Sequence, residues 1–220
     1  MAKMTASLLQ AYDWYLEHPI QKSLDSIYDT LTKGFTGSPA TVRGEKYENY
    51  VNQTLLEGKP FNLDIEANAF CKLERCSQQD WMNSLTVSTK FGPFVFRGRL
   101  DFLSEDTIYD LKTTKKFREE DYHKKWQHTI YALAMNRKNF EYIVAVFPDD
   151  TGLTPTNIYT VKPEIKTLED LTGHTEDCVK FLLDHFKDEF SSWSGWYDTT
   201  GKTLQQKVTE EINSSSEVIF

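Results

Sequence analysis

The chain has 220 residues, of which 39% are hydrophobic and 14% aromatic, so it can bury a sizeable core without disulfide or metal staples. Its formal net charge of −8 excludes a protein whose whole surface binds phosphate, so any contact with nucleic acid must use a local basic patch. The three cysteines, the absence of an apolar run of about 18 residues and the lack of a secretory signal predict a cytoplasmic (intracellular) protein with no membrane partner.

The first part of the chain is predicted to be helical, because its apolar residues recur at helical spacing. Helices are expected, in chain order, over residues 5–17, 24–34, 39–57 and 66–83. Ser38 and Pro39 form a start signal for the third helix, and Gly58 is its stop signal. Gly34 is the expected end of the second helix.

From Leu85 onward the apolar period changes to two, which is typical of strands. The predicted elements are strands 85–89, 94–103 and 107–112, helix 118–137, strands 140–147 and 157–161, and helix 167–190. This order predicts an α/β fold with a central mixed β-sheet flanked by helices. We expect a single domain over 1–193, with a core at about 39–161 on which helices 5–33 and 167–190 pack, and a C-terminal tail over 194–220.

Two aspartates stand out in the predicted strands. Asp110 and Lys112 are two residues apart, so their side chains leave the same face of the strand. If a four-residue loop pairs Leu103 with Ile108, Asp101 lies opposite Asp110, with Cβ atoms roughly 4.5–5.5 Å apart. Two carboxylates at that distance repel unless a cation lies between them, and a divalent cation with oxygen ligands is the natural resolution. A three-residue loop would instead require a bulge to bring the two aspartates to one face.

Glu48 is the candidate third acid, because it shares a face of helix 39–57 with Gly44, Val51 and Leu55. Its spacing fits an ordinary surface glutamate equally well. Lys112 is also compatible with a surface lysine, but beside the acids it could position a water and help to deprotonate it, since a desolvated lysine shifts its pKa readily.

Gln127 and Tyr131 lie one helical turn apart, on the flank of the apolar stripe of helix 118–137. Each is also compatible with a purely structural role, Gln127 as a polar residue at the edge of the core and Tyr131 as a core aromatic residue. Between Lys112 and His128 the chain carries six lysines and arginines against three acids, which is the local basic patch that DNA contact would need.

Asp101, Asp110-Leu111-Lys112 and the Gln127 to Tyr131 segment together resemble the PD-(D/E)XK nuclease superfamily, and within it the RecB-like and lambda-exonuclease-like group. The segment from Arg43 to Glu48 is similar to the helix motif in which that group presents its first acid. This chain departs from the pattern at Leu100, where the superfamily often has proline, and at Gly44, where many RecB-like members have histidine.

The resemblance implies a restriction-endonuclease-like core and a Mg²⁺ or Mn²⁺ site. The expected metal ligands are Glu48, Asp101, Asp110 and the Leu111 carbonyl, and three cysteines are too few for the iron–sulfur cluster of some relatives. Lys112 would orient the attacking water, and Gln127 and Tyr131 would steady the site or the phosphate backbone. DNA contact is expected at Lys115, Lys116, Lys124 and Lys125.

The expected function is that of a metal-dependent deoxyribonuclease, with an exonuclease acting in recombination, repair or phage-type DNA processing as the leading form. A DNA endonuclease of the same superfamily and a non-catalytic DNA-binding or assembly protein that keeps the nuclease fold are the alternatives. Beyond DNA, the expected partners are further copies of this chain or a replication or recombination protein.

Overall fold

A computed structural model describes residues 2–32, 38–78, 81–150 and 152–193. The described elements are, in chain order, β1 (Ala2–Met4), α1 (Ala6–Glu17), α2 (Gln21–Thr32), α3 (Pro39–Glu57), α4 (Asp64–Phe70), a 3-10 turn (Cys71–Leu73), β2 (Ser77–Gln78), β3 (Leu85–Thr89), β4 (Gly92–Phe96), β5 (Phe102–Leu103), β6 (Thr107–Thr114), α5 (Glu120–His123), α6 (Gln127–Met135), β7 (Asn139–Val146), β8 (Asn157–Val161), α7 (Leu168–His185) and α8 (Lys187–Ser192). None of the helices in these ranges is both long and apolar enough to cross a membrane.

The elements group into two compact units. The described residues of the first come from Met1–Phe35, Asn83–Arg97 and Lys166–Phe220, and those of the second from Thr36–Met82 and Gly98–Ile165. The prediction of one domain over 1–193 remains a prediction, and the predicted tail 194–220 and the helix end at Gly34 lie outside the described residues.

The first unit is a small sheet with helices. β4 is its central strand, parallel to β1 and antiparallel to β3. Thr5 begins α1 by accepting a hydrogen bond from the Leu8 backbone N–H, and Thr167 begins α7 through a reciprocal capping box with Asp170. Both helices therefore start where their side chains satisfy backbone N–H groups that the helix itself leaves free.

The second unit contains the predicted mixed sheet, with strand order β2-β5-β6-β7-β8. β6 and β7 are parallel and are joined through α5 and α6, while β5 and β8 are antiparallel to their neighbours. A crossover from strand to helix to parallel strand is therefore present, and the α/β fold class is confirmed.

Side chains alternate across this sheet and so divide it into two faces. Leu111, Ile143 and Ala145 pack with Tyr47 and Val51 of α3 in one core cluster. On the other face, His128 of α6 contacts the Tyr142 ring edge-on, and Tyr142 is the partner of Asp110 in the β6–β7 register. Helices α3 and α6 thus cover opposite faces of β6 and β7.

Four predicted elements are shorter or broken in the structure. The helix predicted over 66–83 is wrong beyond Phe70, because Ser77 and Gln78 instead pair with β5. The strand predicted over 94–103 is interrupted between β4 and β5, which belong to different sheets. At Gly98, within this interruption, the carbonyl accepts a hydrogen bond from the Met82 N–H.

The two long helices predicted in the second half are each divided. Helix 118–137 becomes α5 and α6, and the break lets Tyr122 and Trp126 both become buried. Helix 167–190 is divided at Phe186, whose backbone leaves helical geometry with φ −138° while its ring is buried. In both places the burial of large aromatic side chains outweighs continuous helical hydrogen bonding.

Candidate active site

The β5–β6 hairpin brings the two aspartates together. Leu103 pairs with Ile108 and Phe102 with Tyr109, which is the register that the four-residue loop predicts. Continuing this register by one residue places Asp101 opposite Asp110. Asp101 Oδ2 accepts a hydrogen bond of 2.8 Å from the Leu111 backbone N–H, so the β6 backbone fixes the orientation of this carboxylate.

The Asp110 carboxylate is almost fully buried, with 1% of its surface exposed. Gln127 Nε2 donates to Asp110 Oδ1 at 2.9 Å. Lys112 Nζ lies 2.6 Å from Oδ2 and forms an ion pair with it. One oxygen of Asp110 is therefore held by an amide and the other by a lysine ammonium.

Burial and the neighbouring carboxylates change the acidity of Asp101. Burial is the largest cause and the charge of Asp110 the second in raising the pKa of Asp101 from 3.8 to about 8, and Glu48 adds a smaller push in the same direction. Lys112 and the Leu111 N–H act the other way. Without an added cation, Asp101 therefore holds a proton at neutral pH.

The pKa of Lys112 shifts in the opposite direction to the one that burial alone would cause. Burial alone would lower the pKa of Lys112, but the charges of Asp110 and Asp101 outweigh it and raise the pKa above its ordinary value. The amine is thus a protonated ammonium beside the two acids. Without a metal ion, the charges of the two acids therefore oppose the pKa decrease that desolvation would cause, and the role of Lys112 towards water stays a prediction.

Tyr131 reaches the same site from α6. A Cβ placed on Gly98 would lie 2.6 Å from Tyr131 Oη, so the ring occupies space that only a glycine leaves open. Burial, followed by the charge of Asp110, raises the pKa of Tyr131, so its hydroxyl stays neutral and can donate a hydrogen bond. Gln127 and Tyr131 both lie beside the aspartates, although each was also compatible with a purely structural role.

Glu48 is carried by α3, the helix that packs on the opposite face of β6 from α6, and its charge contributes to the raised pKa of Asp101. Its helix packs close to β6 at Gly44, where an added Cβ would lie 3.1 Å from Thr113 Oγ1. Glu48 Oε1 lies 3.7 Å from Arg99 Nη2. Within the described ranges no three His, Cys, Asp or Glu side chains are close enough to hold a metal ion as they stand. The sharing of one ion by Glu48, Asp101 and Asp110 therefore remains a prediction.

Two residues that support Glu48 were not singled out from the sequence. Arg99 contacts Glu48 directly, and Glu66 is buried beneath α3 with 1% exposure. Tyr47 Oη donates to Glu66 Oε1 at 2.9 Å and Tyr50 Oη donates to Oε2 at 3.1 Å, so the carboxylate holds α3 on both sides of Glu48. The signal for Glu66 was a pair of tyrosines three residues apart on one helix face.

The predicted DNA-contacting lysines follow the hairpin in the same unit. Lys115, Lys116 and Lys124 are exposed, and Lys125 is half-buried. Lys115 Nζ already contacts Asp150 Oδ2 at 2.7 Å, and Lys125 Nζ lies 5.7 Å from the centre of the Tyr122 ring. Their contact with DNA remains a prediction.

The donor chemistry of the site fits a divalent cation. Carboxylate oxygens are the ligands that Mg²⁺ and Mn²⁺ prefer, and the Asp110 carboxylate is withdrawn from solvent beside Lys112. Burial, followed by the charge of Asp110, raises the pKa of Asp101, and a cation between the two acids would offset both effects. The expected ligand role of the Leu111 carbonyl stays a prediction.

Comparison with known proteins agrees with these features. The family model of the PD-(D/E)XK nuclease superfamily matches residues 32–209, and no curated protein matches the chain. The crystal structure of SSO0001 superposes with a TM-score of 0.52 at 11% identity, covering 82% of this chain and 77% of that one, which shows a shared fold.

Two further solved structures are similar at lower TM-scores. An alkaline exonuclease (LHK-Exo) from Laribacter hongkongensis has a TM-score of 0.48 at 14% identity, with 95% of this chain and 94% of that one covered. A phage related exonuclease from Haemophilus somnus 129PT has a TM-score of 0.41 at 14% identity, with 95% and 96% covered. Since the superfamily model spans most of the chain, including the hairpin acids and α6, this protein belongs to the PD-(D/E)XK nuclease superfamily and is a nuclease, a hydrolase of phosphodiester bonds.

Proposed function

We propose that the chain is a divalent-metal-dependent deoxyribonuclease that removes nucleotides from DNA ends. The observation that carries the proposal is the burial of Asp110 opposite a second carboxylate, Asp101, whose pKa is raised to about 8 by burial and then by the charge of Asp110. Opposed carboxylates that are withdrawn from water repel each other, and a fold keeps such a pair most readily when a cation compensates it. Members of the superfamily generally use divalent metal ions, which is the ligand we assign here.

In the proposed enzyme, Asp101 and Asp110 would hold Mg²⁺ or Mn²⁺, with Glu48 as the third acid and the Leu111 carbonyl as a further ligand. The chemistry that a divalent ion supplies when bound is neutralisation of the charge that grows on the phosphate oxygens and activation of water at neutral pH. Asp101 would lose its proton on binding such an ion, because the positive charge would offset the burial and the repulsion by Asp110 that raise its pKa.

The remaining side chains of the site position the acids and the water, or donate hydrogen bonds to the phosphate. Gln127 holds Asp110 Oδ1, and Lys112 pairs with Oδ2, the oxygen that would be shared with the ion. Lys112 stays an ammonium, which suits it to orient the attacking water and to face the phosphate as a cation. The neutral hydroxyl of Tyr131 can donate a hydrogen bond to a phosphate oxygen. The exposed lysines of the segment 115–125 can do the same for phosphates further along the DNA.

The preference for DNA ends comes from the likeness of the hairpin and α6 motifs to the lambda-exonuclease-like group. A role in recombination, repair or phage-type DNA processing follows from the same likeness and is part of the proposal.

The test compares end-labelled linear duplex DNA with covalently closed circular DNA, each with Mg²⁺, with Mn²⁺ or with chelator. We expect degradation of linear DNA only, and only with metal. Asp110→Asn should lower the rate by about 10³-fold or more with the fold retained, because several kcal/mol of transition-state stabilisation depend on the ion. Asp184→Asn, an exposed change of the same chemistry on α7, is the matched control and should leave the rate unchanged.

The other outcomes of this cleavage assay would identify a different activity or exclude the carboxylates from the chemistry. Equal cleavage of circular DNA would identify an endonuclease and overturn the end preference. Binding of DNA by the unmodified protein without metal-dependent cleavage would identify a non-catalytic member of the fold. Cleavage that persists in chelator, or in Asp110→Asn, would remove these carboxylates from the chemistry.

A further inference from the structure

Three aromatic side chains of the second unit, Tyr122, Phe117 and Tyr159, form a stack close to the hairpin site. The Phe117 and Tyr159 rings are nearly parallel, with centroids 4.1 Å apart and an angle of 4° between their planes. The Tyr122 ring lies 5.8 Å from that of Phe117 at 27°. At the inner end of this aromatic stack, Tyr122 also contacts Tyr142, the β7 partner of Asp110, with centroids 5.4 Å apart.

Exposure to solvent increases along the aromatic stack. Tyr122 is buried, Phe117 is half-buried and Tyr159 is 40% exposed. Because Phe117 covers one face of the Tyr159 ring, solvent reaches this ring from its other side. Exposed aromatic faces are the surfaces on which bases stack in proteins that bind single-stranded nucleic acid. Tyr159 is therefore an open end at which a further flat ring can continue the stack.

The strand register places Tyr159 on the face of the sheet that carries the hairpin site. Lys112 of β6 pairs with Val144 of β7, and Val144 pairs with Tyr159 of β8. Side chains of paired residues leave the same face, and neighbouring strands are about 4.8 Å apart, so the backbones at Lys112 and Tyr159 are about 10 Å apart. The Lys112 side chain is 31% exposed. Both the hairpin site and Tyr159 can therefore be reached from solvent.

Positive charge accompanies the aromatic stack. Lys115 and Lys116 are exposed and come directly before Phe117 in the chain. Lys125 Nζ lies 5.7 Å from the centre of the Tyr122 ring. Stacking supplies contact with a base, while lysines beside an aromatic surface attract the phosphates of the same strand. Aromatic faces and lysines together match a nucleic acid better than an apolar partner, which would gain nothing from the cations.

The distance between Lys112 and Tyr159 fits a strand that is held at the acids. Successive nucleotides of one strand are about 3.4 Å apart along the helix axis, so 10 Å corresponds to about three nucleotides. Inside a duplex both faces of a base are covered by its neighbours. A base that stacks on Tyr159 must therefore be unpaired, as in a single-stranded end.

We propose that the exposed face of Tyr159 stacks against an unpaired base of the substrate strand, about three nucleotides from the scissile phosphate. Phe117 supports the Tyr159 ring from behind. The proposal rests on the proposed function, because the acids must hold the strand for this spacing to apply. It deepens that function by assigning a base-stacking subsite to residues outside the acids, α6 and the lysines.

The test measures binding of DNA that lacks one base. Labelled duplexes with a short single-stranded end of either polarity carry one abasic nucleotide, which is moved along that end one position at a time. Anisotropy with Ca²⁺ in place of Mg²⁺ gives the affinities. We expect the unmodified protein to bind about tenfold more weakly when the base about three nucleotides from the cleaved bond is missing, the effect of one lost stacking contact. Tyr159→Ala should bind the intact DNA about tenfold more weakly and lose nothing further when that base is removed.

Two control variants separate stacking from folding. Tyr159→Phe keeps the ring and should keep both the affinity and its dependence on position. Tyr28→Ala removes a tyrosine of the same exposure, 41%, from α2 of the first unit and should also keep both. A lower melting temperature of Tyr159→Ala together with equal loss on every DNA would assign Tyr159 to folding alone and overturn the proposal. If Tyr159→Ala does not fold, the abasic series with the unmodified protein decides, and equal affinities along the series overturn the stacking site.

The two proposals can fail separately. Metal-dependent cleavage of linear DNA without any dependence of affinity on the missing base would keep the deoxyribonuclease and overturn the stacking site. Weaker binding of one abasic DNA, absent in Tyr159→Ala, by a protein that cleaves no DNA would support the stacking site and overturn the cleavage. A protein that binds none of these DNAs would overturn both.

Discussion

The interiors of the two units differ in what they bury. Among the described residues, the buried polar side chains of the first unit are Ser23 and Thr175, and both hydroxyls bond to backbone carbonyls nearby in sequence. Among the described residues of the second unit, five arginine, histidine or acidic side chains are buried: Arg43, Glu66, Asp110, His128 and Glu141. Burying a charged side chain lowers stability unless the charge is paired. The concentration of such side chains in the second unit therefore indicates that this unit carries the chemistry.

This difference predicts that damage to the first unit lowers stability and leaves the chemistry intact. Leu182 of α7 is fully buried, and Leu182→Ala should lower the free energy of unfolding by about 2–5 kcal/mol, because the shorter side chain buries less apolar surface and leaves a cavity. Denaturant unfolding measures this decrease, and the cleavage rate per folded molecule should stay within about twofold. Leu168→Ala, at a 47% exposed position of the same helix, is the control that should change neither quantity. A large decrease in cleavage by folded Leu182→Ala would contradict the separation of roles.

A second experiment asks which unit carries the charge that binds DNA. Replacing Lys115, Lys116 and Lys124 by glutamate should weaken DNA binding by about 100-fold or more. The slope of log affinity against log salt concentration should become shallower by about one for each phosphate that a lysine no longer neutralises. The matched variant replaces Lys22, Lys180 and Lys187 of the first unit, which are also exposed, and alters the net charge equally. Anisotropy with labelled duplex DNA across a salt series measures both. Equal weakening by the two variants would show that only net charge matters.

The third experiment uses the pH dependence that buried charge creates. Because the folded-state pKa of Asp101 is raised from 3.8 to about 8, the folded protein binds a proton there that the unfolded chain releases above about pH 4. Its contribution to stability is thus complete below pH 4 and is lost as the pH rises towards 8, at up to about 1.4 kcal/mol per pH unit. Unfolding of metal-free protein at pH 5, 6 and 7 measures the slope.

Asp101→Asn isolates this effect, because an amide does not titrate. The variant should lose the Asp101 share of the slope between pH 4 and 8, and added Mg²⁺ should reduce the slope in the unmodified protein only. Identical slopes in the two metal-free proteins would show that Asp101 is ionised throughout and that the repulsion between the two acids is small.

Local patterns predicted most of the elements with their ends, as the start of α3 illustrates. Ser38 and Pro39 begin that helix and Gly58 ends it, as expected, because capping depends on the few residues beside the helix end. The hairpin register was predictable for the same reason, since loop length sets which residues pair. The breaks at Trp126 and Phe186 were missed, because they depend on where large aromatic side chains find burial.

For the site, sequence alone determined which residue types the hairpin and α6 carry, and hence the opposition of Asp101 to Asp110 and the superfamily. Only the tertiary structure decided that α3 covers the opposite face of the sheet from α6 and that the charges of Asp110 and Asp101 raise the pKa of Lys112. The physical reason is range: caps, turns and strand registers are set by residues a few positions apart. Burial and charge balance depend on segments far apart in the chain, whose packing no local pattern records.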